Sequence, residues 1–162
     1  MNIRSTSALF VVLLVLAVSG CSRNTVGDEP DSAPAPGSQA AGELAGTTWH
    51  LVKIMSMDDS EHVPEDPSKY TLAFDGDDGV SIVADCNRGT GNYSSESPGQ
   101  LQFGVIAATQ ALCPPPSLHD VYMKQFQWVR SYVLEDGHLF LATMADGSII
   151  EFEPAQGASG NP

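Results

Sequence analysis

A cluster of carboxylates is the first group of residues in this chain whose type and spacing could do chemistry. Three aspartates fall within the segment from Asp75 to Gly79 (DGDDG), and hard cations such as calcium prefer clustered carboxylate oxygens. An EF-hand loop counted from Asp75 would need a bidentate glutamate at its twelfth position, where this chain has Cys86. The segment is therefore predicted to be an acidic hairpin turn, and no metal site is expected.

The other reactive side chains show no spacing that is typical of an active site. The four histidines, His50, His62, His119 and His138, lack the close pairing of zinc ligands. Ser159 stands in a GASGN segment that lacks the final glycine of a nucleophile elbow, and no glycine-rich phosphate loop follows a predicted strand. These observations predict a protein that is not an enzyme and needs no cofactor.

The residues with the most specific chemistry lie near the N-terminus. Arg4 precedes the apolar run 8–17 (ALFVVLLVLA), which is too short to span a bilayer and is typical of a secretory signal peptide. The sequence VSGC at 18–21 follows, and it resembles the lipobox of bacterial lipoproteins, in which the cysteine is acylated after cleavage of the bond before it. Residues 1–20 are thus predicted to be a lipoprotein signal peptide and Cys21 the lipid-attachment site. An ordinary signal peptide with an incidental cysteine is the alternative.

The resemblance to lipoproteins also implies a location. A residue other than aspartate after the acylated cysteine, here Ser22, usually implies transfer to the outer membrane in Gram-negative lipoproteins. Two or more acyl chains hold a protein stably on a membrane, since each buried methylene contributes about 0.8 kcal/mol. We therefore expect a lipid-anchored protein of the cell envelope, on the outer membrane and facing the periplasm.

The charge balance excludes one class of partner. The chain has 20 acidic and 7 basic side chains, a formal net charge of −13, and its lysines and arginines are scattered singly. Affinity for nucleic acids depends on clustered basic residues that neutralise phosphates. No nucleic-acid partner is expected.

Composition divides the exported chain into three parts. Residues 21–43 contain no aromatic side chain, so they cannot bury enough surface to offset chain entropy and are predicted to be a disordered tether that follows the lipidated cysteine. Such a tether would reach about 25 Å as a flexible coil. Residues 155–162 are predicted to be a flexible tail by the same argument. Residues 44–154 remain as one domain, long enough to enclose a single core.

Hydrophobic periodicity predicts the elements of that domain. Residues 70–74, 80–84 and 101–105 alternate between large apolar and small or polar side chains, the pattern of half-buried strands, and Asp-Gly and Pro-Gly turns separate such runs. Residues 118–130 place apolar side chains at helical spacing, with Ser117 as the predicted N-cap. The fold class is predicted to be α+β, mainly β, with an antiparallel curved sheet or partial barrel packed around one α-helix.

Three segments in order carry a family resemblance. They are LAGTTWHLV at 44–52, CNRGTGNY at 86–93 and TQALCP at 109–114. In this order they resemble the META domain, also called the HslJ-like domain, of small bacterial envelope proteins. Asp85 departs from the family pattern, which has glycine before the first cysteine. The resemblance implies a part-barrel sheet wrapped about one helix, and an association with heat-shock response and antibiotic tolerance without an established reaction.

The count of cysteines agrees with that resemblance. Once Cys21 is assigned to lipid, Cys86 and Cys113 remain as a pair in an oxidising compartment. A disulfide between them would stabilise the domain by about 3.5 kcal/mol in the chain-entropy treatment. Two buried free thiols are the alternative.

Asn87, Arg88 and Tyr93 lie beside the segment that this disulfide would hold, and they are the candidate partner-binding residues. The alternative is structural, because asparagine often bonds nearby backbone and tyrosine often packs its ring. The leading hypothesis is a membrane-anchored envelope lipoprotein that binds a protein or lipid partner in outer-membrane assembly or stress tolerance. The competing hypothesis is a small-molecule or acyl-chain carrier with its ligand in a cavity between sheet and helix, which would have to be apolar.

Overall fold

The computed structural model describes residues 42–144 and 147–155. Residues 42–44 are helical, and after them ten strands, one further α-helix and two 3-10 helices follow one another along the chain. The elements are β1 (Thr48–Ser56), β2 (Glu61–His62), η1 (Pro67–Lys69), β3 (Tyr70–Phe74), β4 (Gly79–Ala84), β5 (Asn87–Ser94), β6 (Gln102–Phe103), β7 (Ala107–Ala108), α1 (His119–Gln125), η2 (Phe126–Trp128), β8 (Val129–Glu135), β9 (His138–Thr143) and β10 (Ser148–Pro154).

The strands form one antiparallel sheet that bends into a nearly closed barrel. Its order is β6-β5-β4-β3-β1-β10-β9-β8, with β2 paired to β1 and β7 paired to β5. The first and last strands of this order approach each other where Gln100 bridges Ser131, and Leu101 N donates to Arg130 O at 3.2 Å. This contact joins the two ends of the sheet over a short stretch, and the rest of each edge has no strand partner among the described residues. The predicted fold class is confirmed.

Alternation along the strands fills the barrel. Tyr70, Leu72 and Phe74 of β3 are buried, and their neighbours on the same strand are partly exposed. The helix and the 3-10 turn that follows it cover one mouth of the barrel. They bury the rings of Tyr122 and Phe126, whose centroids lie 5.0 Å apart in an edge-to-face arrangement. The same two rings lie edge-on to rings of the sheet, with centroids 5.7 Å apart for Tyr122 and Tyr70 and 5.1 Å apart for Phe126 and Phe103. Edge-to-face packing is a preferred arrangement of aromatic pairs, so these contacts help to join the helical segment to the sheet.

The acidic segment is a turn, as predicted. Asp75 N donates to Gly79 O at 2.8 Å and closes the β3–β4 hairpin. Asp78 has a φ of 58°, a left-handed conformation that aspartate tolerates better than most residues. The three aspartates therefore form the turn of the hairpin, where short polar side chains are favoured.

The expected strand at 101–105 is wrong beyond Phe103. β5 pairs Tyr93 with Phe103 and Thr90 with Ala107, so three steps along β5 correspond to four steps along the opposing chain. The extra residue makes a β-bulge, which interrupts the alternation and turns the local backbone. As a result Val105 is 92% exposed, although its position in the alternating pattern predicted burial.

The helical segment is shorter than the periodicity indicated. Residues 118–130 were expected to be helical, but α1 ends at Gln125, a 3-10 turn follows, and Val129 begins β8. The helix begins one residue later than the predicted cap implies, because Leu118 occupies the N-cap position and makes no side-chain cap bond. Ser117 Oγ nevertheless accepts a bond from His119 N at 3.3 Å. Val129 is nevertheless buried, since the tighter 3-10 turn delivers it to the core from the start of the strand.

Candidate functional site: a groove along the barrel seam

The predicted disulfide is confirmed. Cys86 and Cys113 are bonded to each other, with their Cα atoms 5.6 Å apart. The bridge joins the start of β5 to the segment before α1. Cys21, the predicted lipid-attachment site, lies outside the described residues, as do residues 1–20 and most of the predicted tether and tail.

Asn87 holds the same segment by a second means. Its side chain is 1% exposed, and its Oδ1 accepts bonds from Ala111 N at 2.7 Å and from Thr109 Oγ1 at 2.9 Å. Its Nδ2 donates to Ala111 O at 2.9 Å. The primary amide thus continues the β5–β7 pairing one step further, because it supplies the donor and the acceptor that a backbone partner would supply.

Arg88 and Tyr93, the other candidate partner-binding residues, lie in different environments. Arg88 is exposed on β5 and its backbone N–H donates to Thr109 Oγ1. Tyr93 is buried, with its ring edge-on to that of Phe74 at 4.9 Å. Burial raises the pKa of Tyr93, and the negative charges of nearby aspartates raise it further. Of the three candidates only Arg88 presents its side chain to solvent, so a partner-binding role for the set remains a prediction.

An open groove of about 880 Å³ lies between the segment 103–112 and the helical segment 119–127. One wall consists of residues 103–106 and 108–112, and the other consists of His119, Asp120, Met123 and Lys124 on α1, with neighbouring residues of η2. We call this feature the seam groove. Its lip is apolar, since Val105 is 92% and Leu112 100% exposed.

Two glycines of β5 make room for the groove wall. A Cβ atom at Gly91 would lie 2.9 Å from Val105 O, and one at Gly89 would lie 2.9 Å from Ile106 Cγ2 and 3.5 Å from Met123 Cε. Glycine inside a strand often marks a site where another backbone approaches closely. The Gly-x-Gly spacing at 89–91 is therefore the sequence signal for this wall, although the spacing alone does not show which segment approaches.

The charges of the groove lie on its helical wall. Asp120 is in the first turn of α1 and Lys124 in the last, where each complements the helix dipole. Elsewhere Lys53 lies 3.7 Å from Glu151 and Lys69 lies 3.6 Å from Asp85. Within the described part of the chain, Asp120 and Lys124 have no ion-pair partner within 4.0 Å. The rim thus offers one negative and one positive charge to a bound molecule.

Other kinds of site are not found in the described part of the chain. No group of three or more His, Cys, Asp or Glu side chains there could hold a metal ion. None of the helices that the structure describes is long and apolar enough to cross a membrane. The seam groove is accordingly the candidate site.

The architecture defines a class of small antiparallel barrels with a single helix across one mouth and a disulfide beside it. Comparison with protein families gives the particular family, because the META domain model matches residues 42–157. The chain belongs to the META domain family. No curated protein matches the chain significantly.

Solved structures share the fold at low sequence identity. An NMR structure of a protein from Burkholderia xenovorans is 21% identical, with a TM-score of 0.60 over 81% of this chain and 99% of that one. A crystal structure of a DUF4847 family protein from Bacteroides vulgatus is 13% identical, with a TM-score of 0.51 over 68% of this chain and 93% of that one. These likenesses concern the fold.

Proposed function

We propose that this protein is a non-enzymatic lipoprotein of the cell envelope, anchored by acylated Cys21, that binds a partner through the seam groove in outer-membrane assembly or stress tolerance. The observation that carries the proposal is the groove itself, which combines an apolar lip, unpaired rim charges and an opening to solvent. Apolar surface patches rimmed by polar residues mark interaction sites, and Val105 and Leu112 on the lip are the most exposed large apolar side chains among the described residues. The disulfide and Asn87 support it, because both fix the outer wall of the groove.

The anchor has a direct test. Cys21→Ser removes the sulfur to which the acyl chain would be attached, so the variant should no longer incorporate radioactive palmitate and its signal sequence should stay unprocessed or be processed differently. The parent chain should label and fractionate with outer membranes. Equal labelling of variant and parent would show that the ordinary signal peptide is the correct interpretation.

The binding surface is tested by photo-crosslinking in cells. A photoreactive phenylalanine analogue at Leu112, on the groove lip, should give a discrete crosslinked product with an envelope component. The same analogue at Val133, 55% exposed on β8 and outside the residues that line the groove, is the matched control. Products of equal yield and size from both positions, or from neither, would argue against the groove as the binding surface.

The packed interior of the barrel weighs against a carrier whose ligand lies in a cavity between sheet and helix. The space between sheet and helix holds the rings of Tyr70, Tyr122 and Phe152. The centroid of the Tyr122 ring lies 5.7 Å from that of Tyr70 and 6.2 Å from that of Phe152. Phe126 is 1% exposed beside them. A cavity between sheet and helix would require these rings to move apart, and close-packed interiors resist such movement. The open space beside the helix is the seam groove, which lies between the segment 103–112 and α1.

A further inference from the structure

The seam groove borders a sheet edge that the barrel leaves unpaired. Barrel closure is confined to the ladder near Gln100 and Ser131. Beyond that ladder, β7 (Ala107–Ala108) pairs with β5 on one side, and no other described strand pairs with its second edge. An unpaired edge next to an apolar groove is a template for an additional strand.

The direction of individual backbone groups supports this interpretation. Thr109 N donates to Arg88 O at 3.0 Å, and Ala111 N donates to the Asn87 side chain. Because bonding groups alternate along a strand of an antiparallel pair, the N–H and C=O groups of Ala108 and Gln110 point to the opposite edge. These groups are available to a chain that lies in the groove.

The rim charges select among such chains. Asp120 and Lys124 are four residues apart on one helix, a rise of about 6 Å. Two residues on the same face of an extended strand lie about 6.8 Å apart. For a strand that runs along α1, a basic and an acidic side chain two positions apart match the spacing of the two rim charges. The overall negative charge of the protein disfavours segments that are only acidic.

We propose that the seam groove binds an extended segment of a partner protein, which adds as a strand to the free edge of β7. Its apolar side chains would face Ile106 and Met123. Two oppositely charged side chains, two positions apart, would face Asp120 and Lys124. This inference rests on the proposed function and names the class of partner. The helical wall from His119 to Gln127 is about 12 Å long, which accommodates about four residues of extended chain.

The test uses the full-length lipidated protein in phospholipid nanodiscs and a panel of eight-residue peptides. Each peptide alternates apolar side chains with polar ones and carries Lys and Glu two positions apart, in either order. Every peptide has a twin in which N-methyl groups replace the amide hydrogens of alternate residues, so the side chains are unchanged and edge pairing is blocked. Binding is measured by titration, and hydrogen exchange is followed at the amides of Ala108 and Gln110.

Strand addition predicts saturable binding of the peptides with at least one order of Lys and Glu, and slower hydrogen exchange at the amides of Ala108 and Gln110. The N-methylated twin of a binding peptide should bind at least about tenfold more weakly. The protein variant with Asp120→Lys and Lys124→Asp should reverse the preferred charge order, by about threefold or more. Absence of saturable binding by every peptide up to millimolar concentration overturns the proposal, as does equal binding of the N-methylated twin.

A lipid occupant would give a different result. If palmitate binds and displaces the peptides without slowing exchange at Ala108 and Gln110, the groove is a lipid site and strand addition is wrong. If crosslinks form at Leu112 in cells but the N-methylated peptides bind unchanged, the proposed function survives and the inference about strand addition fails. If neither crosslinks nor peptide binding is seen, both fail.

Discussion

The amide of Asn87 makes the most informative single perturbation, because it connects the buried sheet to the groove wall. Asn87→Ala removes two bonds that Oδ1 accepts and one that Nδ2 donates, all to residues 109 and 111. Each such bond contributes about 1 kcal/mol net. The backbone groups that are released at Ala111 lie in an exposed segment and can be hydrated. We therefore expect a loss of about 2–3 kcal/mol in the free energy of unfolding, measured by urea denaturation of the oxidised protein.

Asn87→Asp separates hydrogen bonding from packing, since it preserves the shape of the side chain. At pH 7 the new carboxylate would be buried and would face Ala111 O, which is also an acceptor, so the variant should be less stable than Asn87→Ala. Burial raises the pKa of such a carboxyl, and protonation restores a donor. A raised folded pKa means that stability is present at low pH and is lost as the pH rises through that pKa. The deficit of Asn87→Asp relative to the parent should accordingly be smaller at pH 4 than at pH 7.

The disulfide supplies the control for this interpretation. The disulfide and the Asn87 side chain are two clamps on the segment 109–113, and each helps the other by keeping that segment near the barrel. In a chain with Cys86→Ser and Cys113→Ser, the loss in free energy of unfolding caused by Asn87→Ala should therefore be smaller by about 1 kcal/mol or more. The single cysteine variants should cost about 3.5 kcal/mol each and should not add, because both remove one cross-link. A loss below about 0.5 kcal/mol for Asn87→Ala, or the same loss in both backgrounds, would refute the two-clamp reasoning.

Three further predictions concern the core and the groove wall. Phe126→Ala should cost about 3–5 kcal/mol in urea unfolding because it leaves a cavity, whereas the exposed Gln127→Ala should be nearly neutral, and similar small losses at both positions would contradict the packed interior. Tyr122→Phe should stabilise the protein by about 1 kcal/mol because the buried hydroxyl has no hydrogen-bond partner. Burial also raises the pKa of Tyr122 well above 10. Above pH 10 the unfolded chain therefore loses this proton while the folded chain keeps it, so the free energy of unfolding of the parent falls as the pH rises further. Tyr122→Phe should lack this part of the alkaline loss, and an unchanged alkaline profile in the variant would count against the reasoning. Gly91→Ala would place a Cβ atom 2.9 Å from backbone oxygen and should cost about 1–3 kcal/mol, while Gly76→Ala meets nothing within 4 Å and should change the melting temperature little.

Local chemistry in the sequence was sufficient for several features of the fold. The alternation at 70–74 and 80–84 determines two strands, because period-two patterning has one stable arrangement when one face is buried. The aspartates at 75–78 determine the hairpin between them, since their conformational tolerance and the following Gly79 suit a tight turn. The pairing of Cys86 with Cys113 followed from the count of cysteines. The order of three short motifs was enough for the family.

The candidate site depended on the tertiary structure. The seam groove arises because the two ends of the sheet meet at Gln100 and diverge after it, and this divergence is a property of ten strands together. The bulge that exposes Val105 adds one residue relative to β5, so no pattern within 101–105 could reveal it. Asn87 and Tyr93 share one motif and lie close in sequence, yet the first holds the groove wall and the second packs in the core. Which role each residue has is decided by the strand and segment opposite it, because side chains in a sheet are stabilised by neighbours that are distant in sequence.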